Sequence, residues 1–301
     1  MGLFAPFWTK NDPKSEKKTL EYVAGLADQA KLAQILRQSP SFRVKKETVR
    51  KITDQKLLAS VVTESATLAG DAFINLTDSD ALQYILDHDR LSSHRIRAAA
   101  KLPDHARGQQ VIGEAAMHDR EESVRLEAVQ LLDDEEILTQ VADSGGQLYR
   151  VIMAAIGRIS DSRLLSRIVR ECKDSSGKAY AITRISDPEL KEESCRYCLA
   201  DPEGGTDAWQ TSLECTDHQD SIFSLICLDG PHRELKIKAV RKLTDEELLN
   251  RIIRSDDERF HVHHYTFMPG TSQSVRVDED LKTYAESRLE ELARQKAGSK
   301  E

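Results

Sequence analysis

The sequence predicts an all-α protein, an α-solenoid of about nine tandem helix–turn–helix repeats, and three observations lead to that class. A short phrase ending in Asp recurs along the 301-residue chain. Around each copy, apolar residues recur every three or four positions, which is the period of an amphipathic helix. The composition, 39% hydrophobic but only 5% aromatic, suits thin helical layers better than one thick core.

The recurring phrase is an apolar residue, usually Leu or Ile, then often Thr, Ser or Pro, then Asp. Its Asp-to-Asp steps are 26, 24, 26, 30, 27, 26, 30 and 28 residues. A period of roughly 20 to 50 residues indicates a solenoid or array, because each unit buries its apolar face only against its neighbours. The copies end at Asp28, Asp54, Asp78, Asp104, Asp134, Asp161, Asp187, Asp217 and Asp245.

The clearest copy explains how one unit folds. Val124, Ala128 and Leu131 fall on one helical face, and a second apolar face follows Asp134. The Asp is suited to cap the second helix, since its carboxylate accepts otherwise unpaired backbone N–H groups. Six positions before the Asp stands a small residue, which we interpret as the point of close helix packing; Thr48 and Thr211 replace it in two copies. The small residues are Ala72, Ala98, Ala128, Ala155, Ala181 and Ala239.

Both ends depart from the repeat, as expected of capping units. We expect the lysine-rich residues 10–18 to be frayed, Thr271 to Val275 to form a loop and residues 278–295 to form a last amphipathic helix. The predicted organisation is an N-terminal tail at 1–18, repeats at 19–257, a capping segment and helix at 258–296, and a tail at 297–301.

Residues 119–129 read as an acidic turn followed by Val-Arg-x-x-Ala, and residues 235–240 are a looser copy. This pattern resembles HEAT-like repeats, in particular the short form found in bacterial scaffold proteins and phycobilisome-lyase-type proteins, and it is similar to leucine-rich variant repeats. It covers roughly residues 20–255. The period is shorter than the ~40–47 residues of standard HEAT repeats, and Ala69, Ile152 or Ala208 replaces the turn arginine in some copies.

The net charge of −8 is unevenly distributed. Residues 1–56 hold 12 Lys/Arg and 6 Asp/Glu, a balance of +6, and the remainder has a balance of −14. This overall acidity argues against a protein whose affinity comes from neutralising phosphates. The basic N-terminal portion is interpreted either as a solvated helix face or as a site for an acidic partner.

The sequence predicts a cytoplasmic protein with no membrane partner. No apolar run approaches the ~18–20 residues that span a bilayer. The apolar start is too short for a signal peptide, and Pro6 breaks the myristoylation pattern. Five cysteines, an odd number, indicate a reducing compartment.

Two clusters are candidate metal ligands. Cys195-x-x-Cys198 followed by Cys215-x-x-His218 has the spacing of a four-ligand zinc site, with the insertion 202–205 between the pairs. The repeat register favours buried core cysteines instead, because Cys215 and Cys195 stand at positions that are apolar in the other copies. His218 stands at a solvent-facing position in the first turn of a helix.

The second cluster, His261, His263 and His264, lacks a carboxylate or cysteine pattern that would complete a metal site. Trp209 is a candidate anchor for a partner if exposed, but we favour a buried position that fills a gap in an irregular unit. No nucleophile elbow, P-loop or dinucleotide fingerprint is present. We therefore predict no catalytic, cofactor-binding or metal-ligating residues, and no cofactor.

The function predicted from these observations is a non-catalytic protein–protein interaction scaffold, whose partner is another protein. Two alternatives remain: a nucleic-acid-binding protein resembling HEAT-like DNA glycosylases, and a phycobilisome-lyase-like protein acting on a tetrapyrrole protein. The two 30-residue steps, ending at Asp134 and Asp217, are the places where we expect functional insertions.

Overall fold

The computed structural model describes residues 6–144, 148–229, 231–257, 260–267 and 274–298. These residues belong to two compact units, Met1–Ile137 and Leu138–Glu301. The described ranges contain nineteen α-helices, which pack in sequence order, and one β-hairpin. The chain is thus a helical-repeat protein, and the predicted all-α solenoid class is confirmed.

The helices of the first unit alternate between two layers, and helices of the same layer pack side by side, as α1 does with α3 and α4 with α6. The odd-numbered layer contains α1 (Pro13–Ala24), α3 (Phe42–Lys51), α5 (Ala66–Asn75), α7 (Ser92–Ala99) and α9 (Glu122–Leu131). The even-numbered layer contains α2 (Gln29–Gln38), α4 (Gln55–Glu64), α6 (Ser79–His88) and α8 (His105–His118). The next helix, α10 (Glu135–Asp143), includes the division between the units.

The second unit repeats this alternation. Its odd-numbered helices are α11 (Tyr149–Arg158), α13 (Ser175–Arg184), α15 (Thr206–Cys215) and α17 (Arg233–Lys242). Its even-numbered helices are α12 (Ser162–Glu171), α14 (Pro188–Ala200), α16 (Gln219–Cys227) and α18 (Glu246–Arg254). Antiparallel strands β1 (His261–Phe267) and β2 (Ser274–Asp280) follow, and then α19 (Leu281–Gly298), which packs on α17 and α18.

The recurring Asp caps the second helix of most repeats, as predicted. Asp54, for example, accepts a hydrogen bond from the backbone N–H of Leu57 at 3.1 Å. Such a cap stabilises a helix by about 1 kcal/mol. The aspartates whose carboxylates do this are Asp28, Asp54, Asp78, Asp104, Asp134, Asp161, Asp187 and Asp245.

The predicted packing point is also buried. The six small residues that precede the capping Asp are each 0% exposed, so no larger side chain fits there without moving a helix. They are Ala72, Ala98, Ala128, Ala155, Ala181 and Ala239.

Side chains of one repeat bind the turn of the next. Gln55 Oε1 accepts hydrogen bonds from the backbone N–H groups of Thr77 and Asp78 at 2.8 and 3.0 Å. We call these contacts the turn ladder. The side chains that accept from both turn amides of the following repeat are Gln29, Gln55, Gln109, Ser162 and Gln219.

The turn at Leu102 and Pro103 differs, because proline has no N–H to donate. There, Lys101 Nζ donates to the carbonyl oxygens of Phe73 and Leu76 in the preceding repeat. The bond to Leu76 measures 3.0 Å. Lys51 makes the same kind of bond to Ala24 O, so at this turn the lysine contact is kept and the amide pair of the turn ladder is what Pro103 prevents.

The eighth turn corrects the predicted register by one residue. The buried slot is filled by Thr216, which is 0% exposed, whereas Cys215 is exposed. His218, not Asp217, caps α16, and its Nδ1 faces the backbone N–H of Ser221 at 3.4 Å. The insertion at 202–205 lengthens the connection before α15, and the shift is confined to this repeat, because Leu243 is buried and Asp245 caps α18 as predicted.

Both chain ends differ from the sequence prediction. Helix α1 starts within the predicted tail, because Asp12 accepts from Ser15 N–H at 2.9 Å and Pro13 occupies the first helical position. Residues 274 and 275 lie in β2 rather than in a loop, and α19 begins at Leu281 rather than at 278. Strand β1 contains Val262, Tyr265 and Phe267, and β2 contains Val275 and Val277. Valine and aromatic residues favour strands. The rest of the predicted loop and tail, 271–273 and 299–301, lies outside the described residues.

Candidate interaction surfaces

A groove of about 350 Å³ lies between α1 and α3 in the first unit. Leu20, Val23 and Ala24 line one side, and the charged residues Arg43, Glu47 and Lys51 line the other. Phe42, the residue before Arg43, is 53% exposed. This groove therefore combines an apolar wall and a charged wall, and Phe42 lies beside its lining rather than in it.

Helix α3 carries most of the positive charge at this groove. Arg50 donates to Asp71 of α5 at 2.7 Å, and this hydrogen bond raises the pKa of the guanidinium. Lys46 lies 3.9 Å from the same carboxylate, and Lys51 Nζ donates to the carbonyl of Ala24 at 2.8 Å. In contrast, Arg43 forms neither an ion pair nor a hydrogen bond within the described part of the chain.

A second groove, of about 570 Å³, lies between α4 and α6. Ala59 and Ala81 form its apolar base, and Tyr84, 45% exposed, stands at one side. Its ring stacks on His88 with the centroids 4.3 Å apart. The carboxylates at the rim belong to helix caps and first turns, so this groove is acidic.

The second unit has a shallower groove of about 300 Å³ along α11, α13 and α15. Tyr149, which is 56% exposed, lines it together with Ser176 and Asp207. The hydroxyl of Ser176 donates to the Asp207 carboxylate, which joins α13 to α15.

The cysteines do not occupy equivalent positions. Cys195 and Cys198 of α14 are each 0% exposed, whereas Cys215 is exposed. Burial raises the pKa of the Cys195 thiol to about 12 and that of Cys198 to about 11. The described residues include no group of three or more His, Cys, Asp or Glu arranged to hold a metal ion. The chemistry of Cys195 and Cys198 here is that of buried, protonated thiols.

Trp209 is buried, at 4% exposure, and it holds the insertion 202–205 against the core. Its Nε1 donates to the carbonyl of Asp201 at 3.0 Å. The Asp201 carboxylate lies 3.2 Å from the buried ammonium of Lys178. Trp209 is therefore part of the core and is not available to a partner in this structure.

The histidine cluster lies in the hairpin. His261, His263 and His264 belong to β1, and their backbone partners in β2 are Asp280, Asp278 and Val277. Their side chains lie outside the described residues. No helix in the described ranges is both long enough and apolar enough to span a bilayer.

Comparison with known proteins does not assign the chain to a family. No family profile matches it, and no curated protein matches it. One solved structure, titled "Computational Design of Self-Assembling Cyclic Protein Homooligomers", aligns over 94% of this chain and 95% of its own, with 15% identity and a TM-score of 0.12. An alignment with so low a TM-score supports no conclusion about fold or function.

The basic N-terminal region is visible in the amino-acid sequence, but the groove between α1 and α3 is not. The excess charge of residues 1–56 is visible in composition, whereas the position of Arg43 opposite Leu20 depends on how α1 packs on α3. A local signal existed: Phe42 and Arg43 directly follow the capping Ser41, where a large apolar side chain points away from the buried face of α3.

Proposed function

We propose that the chain is a non-catalytic, cytoplasmic scaffold of HEAT-like repeats that binds another protein. One observation carries the proposal: three grooves between helices of one layer each have an exposed aromatic side chain within or beside them. These side chains are Phe42, Tyr84 and Tyr149. Single exposed hydrophobic residues are ordinary, but aromatic residues beside concave surfaces are typical anchors of protein interfaces.

The use of the polar side chains is consistent with a binding role. The recurring carboxylates accept backbone hydrogen bonds at helix starts, and the glutamines hold neighbouring turns. Cys195 and Cys198 are buried with raised pKa values, which disfavours nucleophilic thiolates. These groups stabilise the repeats, and the exposed grooves are what the repeats present to a partner.

The test is an affinity purification of the tagged chain from its native cells, with and without nuclease, followed by reconstitution with the purified candidate. We expect one protein at near-stoichiometric amount that survives nuclease treatment and rebinds in a titration calorimeter. A variant with serine at Phe42, Tyr84 and Tyr149 serves to test the anchors and should bind at least about tenfold more weakly. Recovery of nucleic acid alone, or partners lost on nuclease treatment, contradicts the proposal.

A further inference from the structure

We propose that the groove between α1 and α3 is the docking site for an acidic segment of the partner protein, one that places an apolar side chain beside Asp or Glu. This inference rests on the scaffold function proposed above and adds the surface and the chemistry of what it binds. The site comprises the apolar wall at Leu20 and Val23 and the charged wall at Arg43.

The apolar part of the site fits a short aliphatic or aromatic side chain. Val23 is 1% exposed and lies at the base of the groove, and Leu20 is half-buried beside it. An apolar side chain seated in the groove would contact both walls and leave water, which is the main contribution of an interface anchor.

The charge of the site selects an acidic partner. Arg43 is exposed, and among the described residues it has no carboxylate to pair with, while Glu47 of the same groove is paired with Arg50 at 3.0 Å. A guanidinium binds a carboxylate through two parallel hydrogen bonds, which fixes both orientation and sign. Arg43 is thus the free cation that an incoming Asp or Glu would meet.

A protein segment fits these observations better than a nucleic acid or a membrane does. Nucleic acid binding requires a row of free cations, yet Lys46 and Arg50 are paired with Asp71 and Glu47, and residues beyond 56 carry −14. A membrane surface requires a broad apolar face, whereas Phe42 is the large exposed hydrophobic residue described on α3.

The experiment selects peptides of about 12 residues from a random phage-displayed library on the intact protein, then measures the binding of the enriched peptides by fluorescence anisotropy. We expect enrichment of Asp and Glu next to Leu, Ile or Phe. The substitution Arg43→Glu should weaken binding at least about tenfold, and Leu20→Ser about fivefold. Arg107→Glu on α8 is the matched control: Arg107 is also exposed and lies outside this groove, so the change should leave binding within about twofold.

Three results would overturn the inference: enrichment of basic or neutral peptides, no enrichment, or acidic peptides whose affinity Arg43→Glu leaves unchanged. Displacement of the peptides by a short DNA duplex or by phosphatidylserine vesicles at lower concentration than by unlabelled peptide would also overturn it. None of these results by itself removes the scaffold function, which fails only if the affinity purification yields no nuclease-resistant protein partner. Circular dichroism of each variant verifies that it is folded.

Discussion

Gln109 Oε1 accepts a hydrogen bond from the backbone N–H of Asp133 at 2.7 Å, so a helix of one repeat holds the turn of the next. The same oxygen accepts from Asp134 N–H at 3.1 Å, and the amide nitrogen donates to Leu131 O at 3.3 Å. Gln109 is 3% exposed. The side chain therefore replaces the water that would otherwise solvate a part-buried turn.

Gln109→Ala should lower the free energy of unfolding by about 2 kcal/mol, because two part-buried turn N–H groups and the carbonyl of Leu131 lose their partner. Gln110→Ala is the control. It changes the same residue type one position along α8, on the exposed side, and should cost less than about 0.5 kcal/mol. Urea unfolding followed by circular dichroism measures both. Equal costs would contradict a role for the turn ladder.

His218→Asp should raise the free energy of unfolding by about 1 kcal/mol, since Asp is the better helix cap. The histidine it replaces faces Ser221 N–H at a long 3.4 Å. The reciprocal change, Asp245→His, should cost a similar amount, because Asp245 accepts from Glu247 N–H at 2.8 Å. Thermal unfolding compares the two variants. A destabilised His218→Asp variant would contradict the register that places His218 at the cap.

Gly205→Ala should destabilise the chain by about 2 kcal/mol, because Gly205 has φ +82°, which side-chain-bearing residues rarely adopt. An added Cβ would also lie 2.6 Å from Ser175 Oγ. Gly25→Ala is the control, since Gly25 has φ −94° and open space around it. We expect a neutral to slightly stabilising effect there, up to about 0.5 kcal/mol. A Gly205→Ala variant as stable as Gly25→Ala would be inconsistent with this turn.

Cysteine labelling at pH 8 should modify Cys215 rapidly and Cys195 and Cys198 only after unfolding, because burial raises the pKa of the latter two to about 12 and 11. Their pKa values are raised above the ordinary 9.0, so the associated stability is fully present below pH 9 and is lost as the pH rises toward 12. Mass spectrometry after iodoacetamide pulses reads each site, and Cys215→Ser should remove the fast product. Rapid native labelling of Cys195 would refute its burial.

The repeat and its capping aspartates could be predicted because capping is local. Asp54 and Leu57 lie three residues apart, so their hydrogen bond is implied once the helix is. The turn ladder spans more than 20 residues and depends on how successive repeats align. A signal was nevertheless present, since Gln29, Gln55 and Gln219 each directly follow the residue that caps their helix.

The cysteines considered as candidate zinc ligands show how far the repeat register can be carried. Cys195 follows the repeat register and is buried, whereas Cys215 comes after the insertion and is displaced by one residue from the apolar slot. In a helix, one residue turns a side chain by about 100°, which is enough to move Cys215 from core to solvent. The hairpin was missed because residues 258–277 were assigned to a capping segment with a loop at 271–275, and the pairing of 261–267 with 274–280 is not a local pattern.

The proline at position 103 has a consequence for how the first unit opens. Elsewhere in that unit, Gln29, Gln55 and Gln109 each couple two neighbouring repeats through two amide donors. At Pro103 the backbone offers one donor fewer, and Lys101 makes the bond to a preceding carbonyl that Lys51 makes in its own repeat in addition to the Gln29 contacts. The stability of such an array is approximately the sum of the stability of each repeat and of the interfaces between neighbouring repeats. Thermal fluctuations should therefore separate α6 from α8 before they separate other pairs in this unit. Amide exchange in the unit should therefore start beside this proline and spread outward.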